Sequence, residues 1–337
     1  MASDAYTTRG LPPAPHVSKT TIPMFGLLVD VYGLEELTEK VPVTCLHLLH
    51  PRSRTRARMS DVASRVISAY NLTASSSSRG LVAVAFDMPN HGSRMVNELG
   101  NQAWEKGNER HAVDMAGMVV GAGRDMEGVM ELLGAYIGRE VDGHVCLGWS
   151  LGGHAAWQGW LKEDRLDAVV VVVGCPDFMC EYLSYSLIQG IFHMLICHEA
   201  LMSRRASTSN LALDNESFIG SKYFPPALIS TCLTHDPRGL LFGLDPPTSN
   251  TSSSTSFDLS KLRSKQLLIC SGADDKLVPH EVGVSFIQAL RARGVESLDE
   301  RVYEGVGHAF SGEMVMDAVN FLVEAVKEGP KKERARI

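Results

Sequence analysis

The sequence has little that would suit a nucleic-acid partner, a membrane span or a disulfide framework. Its 337 residues carry a formal net charge of −7, and aromatics make up only 7%. No basic field attracts a phosphate backbone, and no Lys/Arg stripe interleaves with aromatic residues, so nucleic acid is not an expected partner. The longest aliphatic run, five valines at 169–173, falls far short of the ~20 apolar residues that a membrane helix needs. The opening MASDAYTTRGLPPAPH lacks the basic start and apolar stretch of a secretory signal. These features predict a soluble, cytoplasmic protein. The seven cysteines (45, 146, 175, 180, 197, 232 and 270) are odd in number and show no paired CxxC spacing. Reduced, mostly buried thiols are expected rather than disulfides or a zinc site, with no metal and no organic cofactor.

What is present is enough to bury a large core, since 45% of residues are apolar and 21% charged. After a Pro-, Thr- and Ala-rich stretch at 1–20, read as a loose arm, short aliphatic runs alternate with helical patterns. Strands are expected at 25–32, 43–49, 81–86, 145–147, 168–173, 266–270 and 301–303. That alternation predicts an α/β fold with a mostly parallel central sheet flanked by helices. Met126, Val129, Met130, Leu133 and Ile137 recur at helical spacing, as do Met314, Ala318, Phe321, Leu322 and Ala325, marking two core-facing helices. The core is expected over 21–178 and 261–329. Between its halves, 179–260 holds apolar clusters without a strand pattern and a Ser/Thr/Asn tract at 248–256. It reads as a mainly helical cap with a flexible connector. Its apolar clusters would suit a contact between two copies of the chain.

The chemistry starts at Gly148-Trp149-Ser150-Leu151-Gly152. Chance alone can produce G-x-S-x-G, so context decides. An aliphatic strand, Val145-Cys146-Leu147, enters the motif, and a small-residue helical start, Gly152-Gly153-His154-Ala155-Ala156, leaves it. A strand–turn–helix of this kind pushes the serine hydroxyl out at the carboxyl edge of the sheet, where such sheets bind ligands. A serine hydroxyl needs a base, and the base needs a third group to orient it. Candidates follow in the order serine, acid, histidine. Asp274 and Asp275 lie just beyond the expected strand 266–270, and His308 lies in a glycine-flanked loop beyond 301–303. Asp177, after the strand 168–173, is a third candidate acid. Of the twelve histidines, His308 alone follows the last strand in such a loop. His154 reads as packing or hydrogen bonding, His91 as structural, and His198 and His235 as cap residues. Arg52, Arg54, Arg56 and Arg58 read first as a solvated helix start and second as an anion-binding rim.

With G-x-S-x-G, Gly272-x-x-Asp275-x-x-Val278-Pro279 and Gly305-x-Gly307-His308-x-Phe310 in this order, the chain resembles the α/β-hydrolase superfamily over roughly residues 21–328. Within it, the chain is similar to dienelactone hydrolase-like carboxylesterases, whose run after the sixth strand is echoed by Gly174-Cys175-Pro176-Asp177-Phe178. The resemblance implies Ser150 as nucleophile, His308 as base and Asp275 as the orienting acid, with Asp274 the neighbour to test next. It implies an oxyanion hole from the backbone N–H of Leu151 and that of Arg52, where the family often has His-Gly and this chain has His50-Pro51-Arg52. The expected substrate is a small or medium carboxylic ester, cleaved through an acyl-enzyme. Lactone, thioester or acyl-peptide cleavage stands behind it. A non-catalytic receptor or scaffold on the same fold is the reading from another class. Such proteins often lose one member of the triad, whereas this chain keeps a candidate for each.

Overall fold

Aliphatic segments that are apolar on both faces become strands only where both faces are covered. The computed structural model, which describes residues 10–37, 41–73, 79–179, 219–244 and 257–330, builds them into one eight-stranded sheet. Its strands are β1 (Lys19–Met24), β2 (Leu27–Tyr32), β3 (Val43–Leu49), β4 (Gly80–Phe86), β5 (Val141–Trp149), β6 (Leu166–Val172), β7 (Gln266–Gly272) and β8 (Leu298–Tyr303). Their order across the sheet is β1-β2-β4-β3-β5-β6-β7-β8. Pairing is antiparallel for β1–β2 and β2–β4 and parallel for the rest, as the alternating pattern predicted.

The strand expected at 25–32 is β2, and a strand that was not expected, β1, precedes it. Phe25 and Gly26 both have positive φ, 35° and 90°, and this two-residue turn folds 19–32 into a hairpin. The sequence hid β1 because KTTIPM is nearly all solvent-facing, and Pro23 is tolerated there because the strand lies at the sheet edge.

Helices α1 (Ser60–Thr73) and α7 (Gly312–Glu328) cover one face. The other face carries α2 (His111–Ile137), α3 (Leu151–Lys162) and α6 (Glu281–Ala292). The expected apolar stripes of α2 and α7 face inward: Met126, Val129, Met130 and Leu133 on one, Met314, Ala318, Leu322 and Ala325 on the other are buried. The described part of the segment after β6 is mainly helical, with α4 (Pro226–His235) and α5 (Pro237–Phe242) following a short bridge between Ile219 and Phe224. Phe242 of α5 meets Phe286 of α6 edge-on with centroids 5.7 Å apart, which seats this part on the main core. The tract at 248–256 lies outside the described residues, as does 180–218. The five described cysteines, 45, 146, 175, 232 and 270, are buried and unbridged, whereas Cys180 and Cys197 lie outside the described residues. Among the described residues, no helix is long and apolar enough to cross a membrane.

Candidate active site

β5 ends at Trp149 and α3 begins at Leu151, leaving Ser150 alone to make the turn. Its backbone sits at φ 55°, ψ −114°, a conformation that costs an L-residue of order 1–3 kcal/mol and needs its surroundings to hold it. They do so through backbone bonds: Ser150 N–H donates to Val172 O at 2.8 Å, and Ser150 O accepts from His154 N–H at 3.1 Å. Gly152 permits the close approach that completes the turn. A Cβ there would stand 2.2 Å from the carbonyl oxygen of Leu49, so any side chain would drive α3 off the end of β3.

The Ser150 hydroxyl reaches the base expected from the sequence. Its Oγ lies 2.8 Å from His308 Nε2, and His308 Nδ1 lies 2.8 Å from Asp275 Oδ2. The other carboxylate oxygen, Asp275 Oδ1, accepts from the N–H groups of Leu277 and Val278 at 2.9 and 3.0 Å. The Asp275 side chain is fully buried while that of His308 keeps 23% exposure, so the acid is shielded and the imidazole edge remains reachable. The two loops are clamped together at their base: Asp274 N–H donates to Val306 O at 2.9 Å. At Gly272 a Cβ would come within 2.3 Å of that same oxygen.

Of the three candidate acids, the structure brings only Asp275 to His308. Asp274 is exposed, and Asp177 lies buried 3.5 Å from the Arg238 guanidinium. The other histidines take the milder roles expected of them. His154 Nδ1 bonds to Cys175 O at 3.0 Å and His91 Nδ1 to Pro89 O at 2.9 Å. His235 contacts Thr231 O and Thr234 Oγ1 on its own helix, and His198 lies outside the described residues.

The loop leaving β3 runs beside Ser150 because β3 and β5 are neighbours, with Leu49 opposite Gly148. Here His50 is completely buried. Its Nε2 accepts from Met88 N–H at 2.9 Å, so the ring proton sits on Nδ1 and is donated to Pro51 O at 2.8 Å. Burial holds the His50 pKa down at about 4, which keeps the ring neutral and this tautomer fixed. Because the peptide is planar and trans, fixing the Pro51 carbonyl also fixes the direction of the Arg52 N–H in the same unit. The Arg52 guanidinium points elsewhere and donates to Asn101 O at 3.1 Å.

Farther along, Arg56 is anchored rather than solvated. It bridges Asp30 at 3.2 Å and Asp87 at 2.5 Å. Asp87 also accepts from Arg56 N–H at 2.9 Å and from Ser93 N–H and Oγ at 2.9 and 2.8 Å. Burial would raise the Asp87 pKa, but these donors and the Arg56 charge reverse that and hold it below the usual carboxylate value. Arg58 stacks over the Trp149 ring at 5.2 Å from its centroid, and Trp149 packs on Phe310 at 5.8 Å. The residue before the serine thus touches the loop that carries His308. Sequence reading missed this contact, although both aromatics lie within the motifs it singled out. A small cavity of about 10 Å³, room for one water, is lined by Trp157, Cys175, Ser271 and Val278 among others and touches neither Ser150 nor His308.

Residues 60–320 match the model of a family described as the alpha/beta hydrolase family. A comparison with curated proteins gives no match. Among solved structures, TT1662 from Thermus thermophilus is similar with a TM-score of 0.56 and 17% identity, covering 93% of this chain and 99% of its own. The acylaminoacyl peptidase of Pyrococcus horikoshii gives 0.51 at 13% identity, over 98% of this chain but 44% of its own. The 2,6-dihydroxy-pseudo-oxynicotine hydrolase gives 0.50 at 15%, over 96% of this chain and 73% of its own. At these identities the likeness is one of fold.

Proposed function

The chain belongs to the alpha/beta hydrolase family, and from that premise we propose that it is a serine hydrolase cleaving a small or medium carboxylic ester. The observation that carries this reading is the unbroken relay from Ser150 Oγ through His308 to Asp275, with both links at 2.8 Å.

In this mechanism His308 Nε2 takes the hydroxyl proton as Ser150 Oγ attacks the ester carbonyl. Asp275 holds the Nδ1 proton and stabilises the imidazolium that forms. The oxyanion is met by two backbone donors. Leu151 N–H is among the first amides of α3, which have no acceptor within the helix, and Arg52 N–H is oriented through the His50–Pro51 contact. Such a donor is worth ~10²–10³ in rate. His308 then returns the proton to the leaving alcohol, and water, deprotonated by the same imidazole, releases the acid. The chemistry requires no cofactor.

A fluorophosphonate probe should modify the folded protein, and Ser150→Ala should abolish that labelling together with turnover of chromogenic esters. Equal labelling of wild type and Ser150→Ala would sink the proposal. Asp275→Asn should lower turnover by about 10⁴-fold while Asp274→Asn leaves most of it, and the reverse order would move the acid assignment. Lactones and thioesters run beside the esters would rank the bond classes.

A further inference from the structure

Two short runs outside the relay come together only through strand pairing. β3 carries Cys45-x-His47 and β5 carries His144-x-Cys146, and the parallel register sets Cys45 opposite His144 and His47 opposite Cys146. Side chains alternate along a strand, so residues two apart share a face, and partners in parallel register share it too. The four side chains therefore form a two-by-two array on the sheet face that α2 and α3 cover. All four are buried: Cys45, His47 and Cys146 show no exposure and His144 shows 2%.

The geometry points to a closed, buried site for a divalent metal ion, zinc by the chemistry of its donors, held by Cys45, His47, His144 and Cys146. One ligand atom from each of Cys45, His47 and His144 already lies within 4.8 Å of the others. His47 Nε2 and His144 Nδ1 are 3.1 Å apart, close to the roughly 3.3 Å that separates two nitrogens of a tetrahedral zinc site with bonds of about 2.0–2.1 Å. A plain hydrogen bond between two core histidines is the competing account of the same contact, and metal content separates the two.

Charge favours the full set of four. Two thiolates and two neutral imidazoles around a divalent ion sum to zero net charge, the form an apolar interior accepts most readily. Each neutral imidazole binds through the lone pair of one ring nitrogen. Each cysteine gives up its thiol proton to bind as a thiolate. Loading therefore forms two metal–sulfur and two metal–nitrogen bonds and releases two protons to solvent. With four protein ligands there is no open coordination position, which makes the ion a strut between the two central strands rather than a reaction centre. The second of those strands runs straight into Ser150, four residues beyond Cys146. This inference does not depend on the esterase reading.

The test uses the full chain, free of any affinity tag, produced in zinc-supplemented medium and dialysed. Elemental analysis should find one zinc per chain, and zinc-edge X-ray absorption should show a first shell of two sulfurs and two nitrogens. Because the site is enclosed, metal exchange is done by unfolding and refolding with Co(II), which should give the visible bands of tetrahedral cobalt with thiolate charge transfer. Cys45→Ser and Cys146→Ser should each lower the zinc content severalfold. Should either variant fail to fold, the absorption spectrum of the wild type still decides. Zinc at background level together with no cobalt bands after refolding would overturn the site. So would a shell of oxygen and nitrogen alone, or zinc content unchanged in both folded serine variants.

Discussion

The elbow at Ser150 and the loop at 50–58 flank the same proposed reaction centre, yet they are held in opposite ways. The elbow is fixed by its own backbone: a positive φ at Ser150, bonds to Val172 and His154, and a glycine pressed against Leu49. The loop has no regular structure until Arg56. It is held by side chains from distant parts of the chain: His50 on Met88, Arg56 on Asp30 and Asp87, and Arg52 on Asn101. A turn placed by steric exclusion tolerates almost no change at its glycine. A loop placed by a polar network should loosen in steps as the network is taken apart.

The largest effect should come from Gly152→Ala. A Cβ 2.2 Å from a backbone oxygen meets an atom that cannot rotate away, so the cost should exceed the ~1–3 kcal/mol of ordinary overpacking. Thermal unfolding should show a lowered Tm, and ester turnover should fall to background. Normal turnover in a folded Gly152→Ala protein would show that the elbow has slack.

Next in size, Arg52→Pro removes a backbone N–H and should cost ~10²–10³ in kcat, whereas Arg52→Ala keeps that N–H and should stay within a few-fold of wild type. If both variants lose the same activity, the guanidinium rather than the amide matters, and the second donor lies elsewhere.

A smaller effect, read as stability, is expected at Asp87. Its pKa in the folded chain lies below the unfolded value, so its ionised form contributes stability above the unfolded pKa. That contribution is lost as pH falls through the folded pKa. Asp87→Asn should therefore lower the Tm near neutral pH and flatten its decline on the acid side. An acid limb as steep as that of wild type would mean that Asp87 does not anchor the loop.

The contrast between the two regions also explains what could be read from the sequence. Strand, turn, glycine and helix at the elbow are neighbours in the chain, so local pattern exposed them. The approach of Asp275 and His308 to Ser150 was legible because each follows a strand of the same sheet, and a parallel sheet gathers all such positions at one edge. Arg56 was misjudged as solvated because its partners, Asp30 and Asp87, lie 26 and 31 residues away along the chain. The hairpin at 19–32 was missed for the opposite reason. Edge strands face water and carry no apolar signature.

The cysteines show the boundary most sharply. By spacing they gave no metal motif, since neither Cys45 nor Cys146 has a second cysteine within reach along the chain. Strand register sets Cys45-x-His47 against His144-x-Cys146 across two paired strands, and register follows from long-range pairing that no short window of sequence contains. The sequence by itself determined the class of fold, the turn at Ser150 and the order serine, acid, histidine, because each is carried by local periodicity or by position after a strand. The contact of Asp275 with His308, the anchoring of Arg56 and the gathering of the Cys/His array were decided only by tertiary structure. They depend on which side chains the folded sheet brings within a few ångströms of one another.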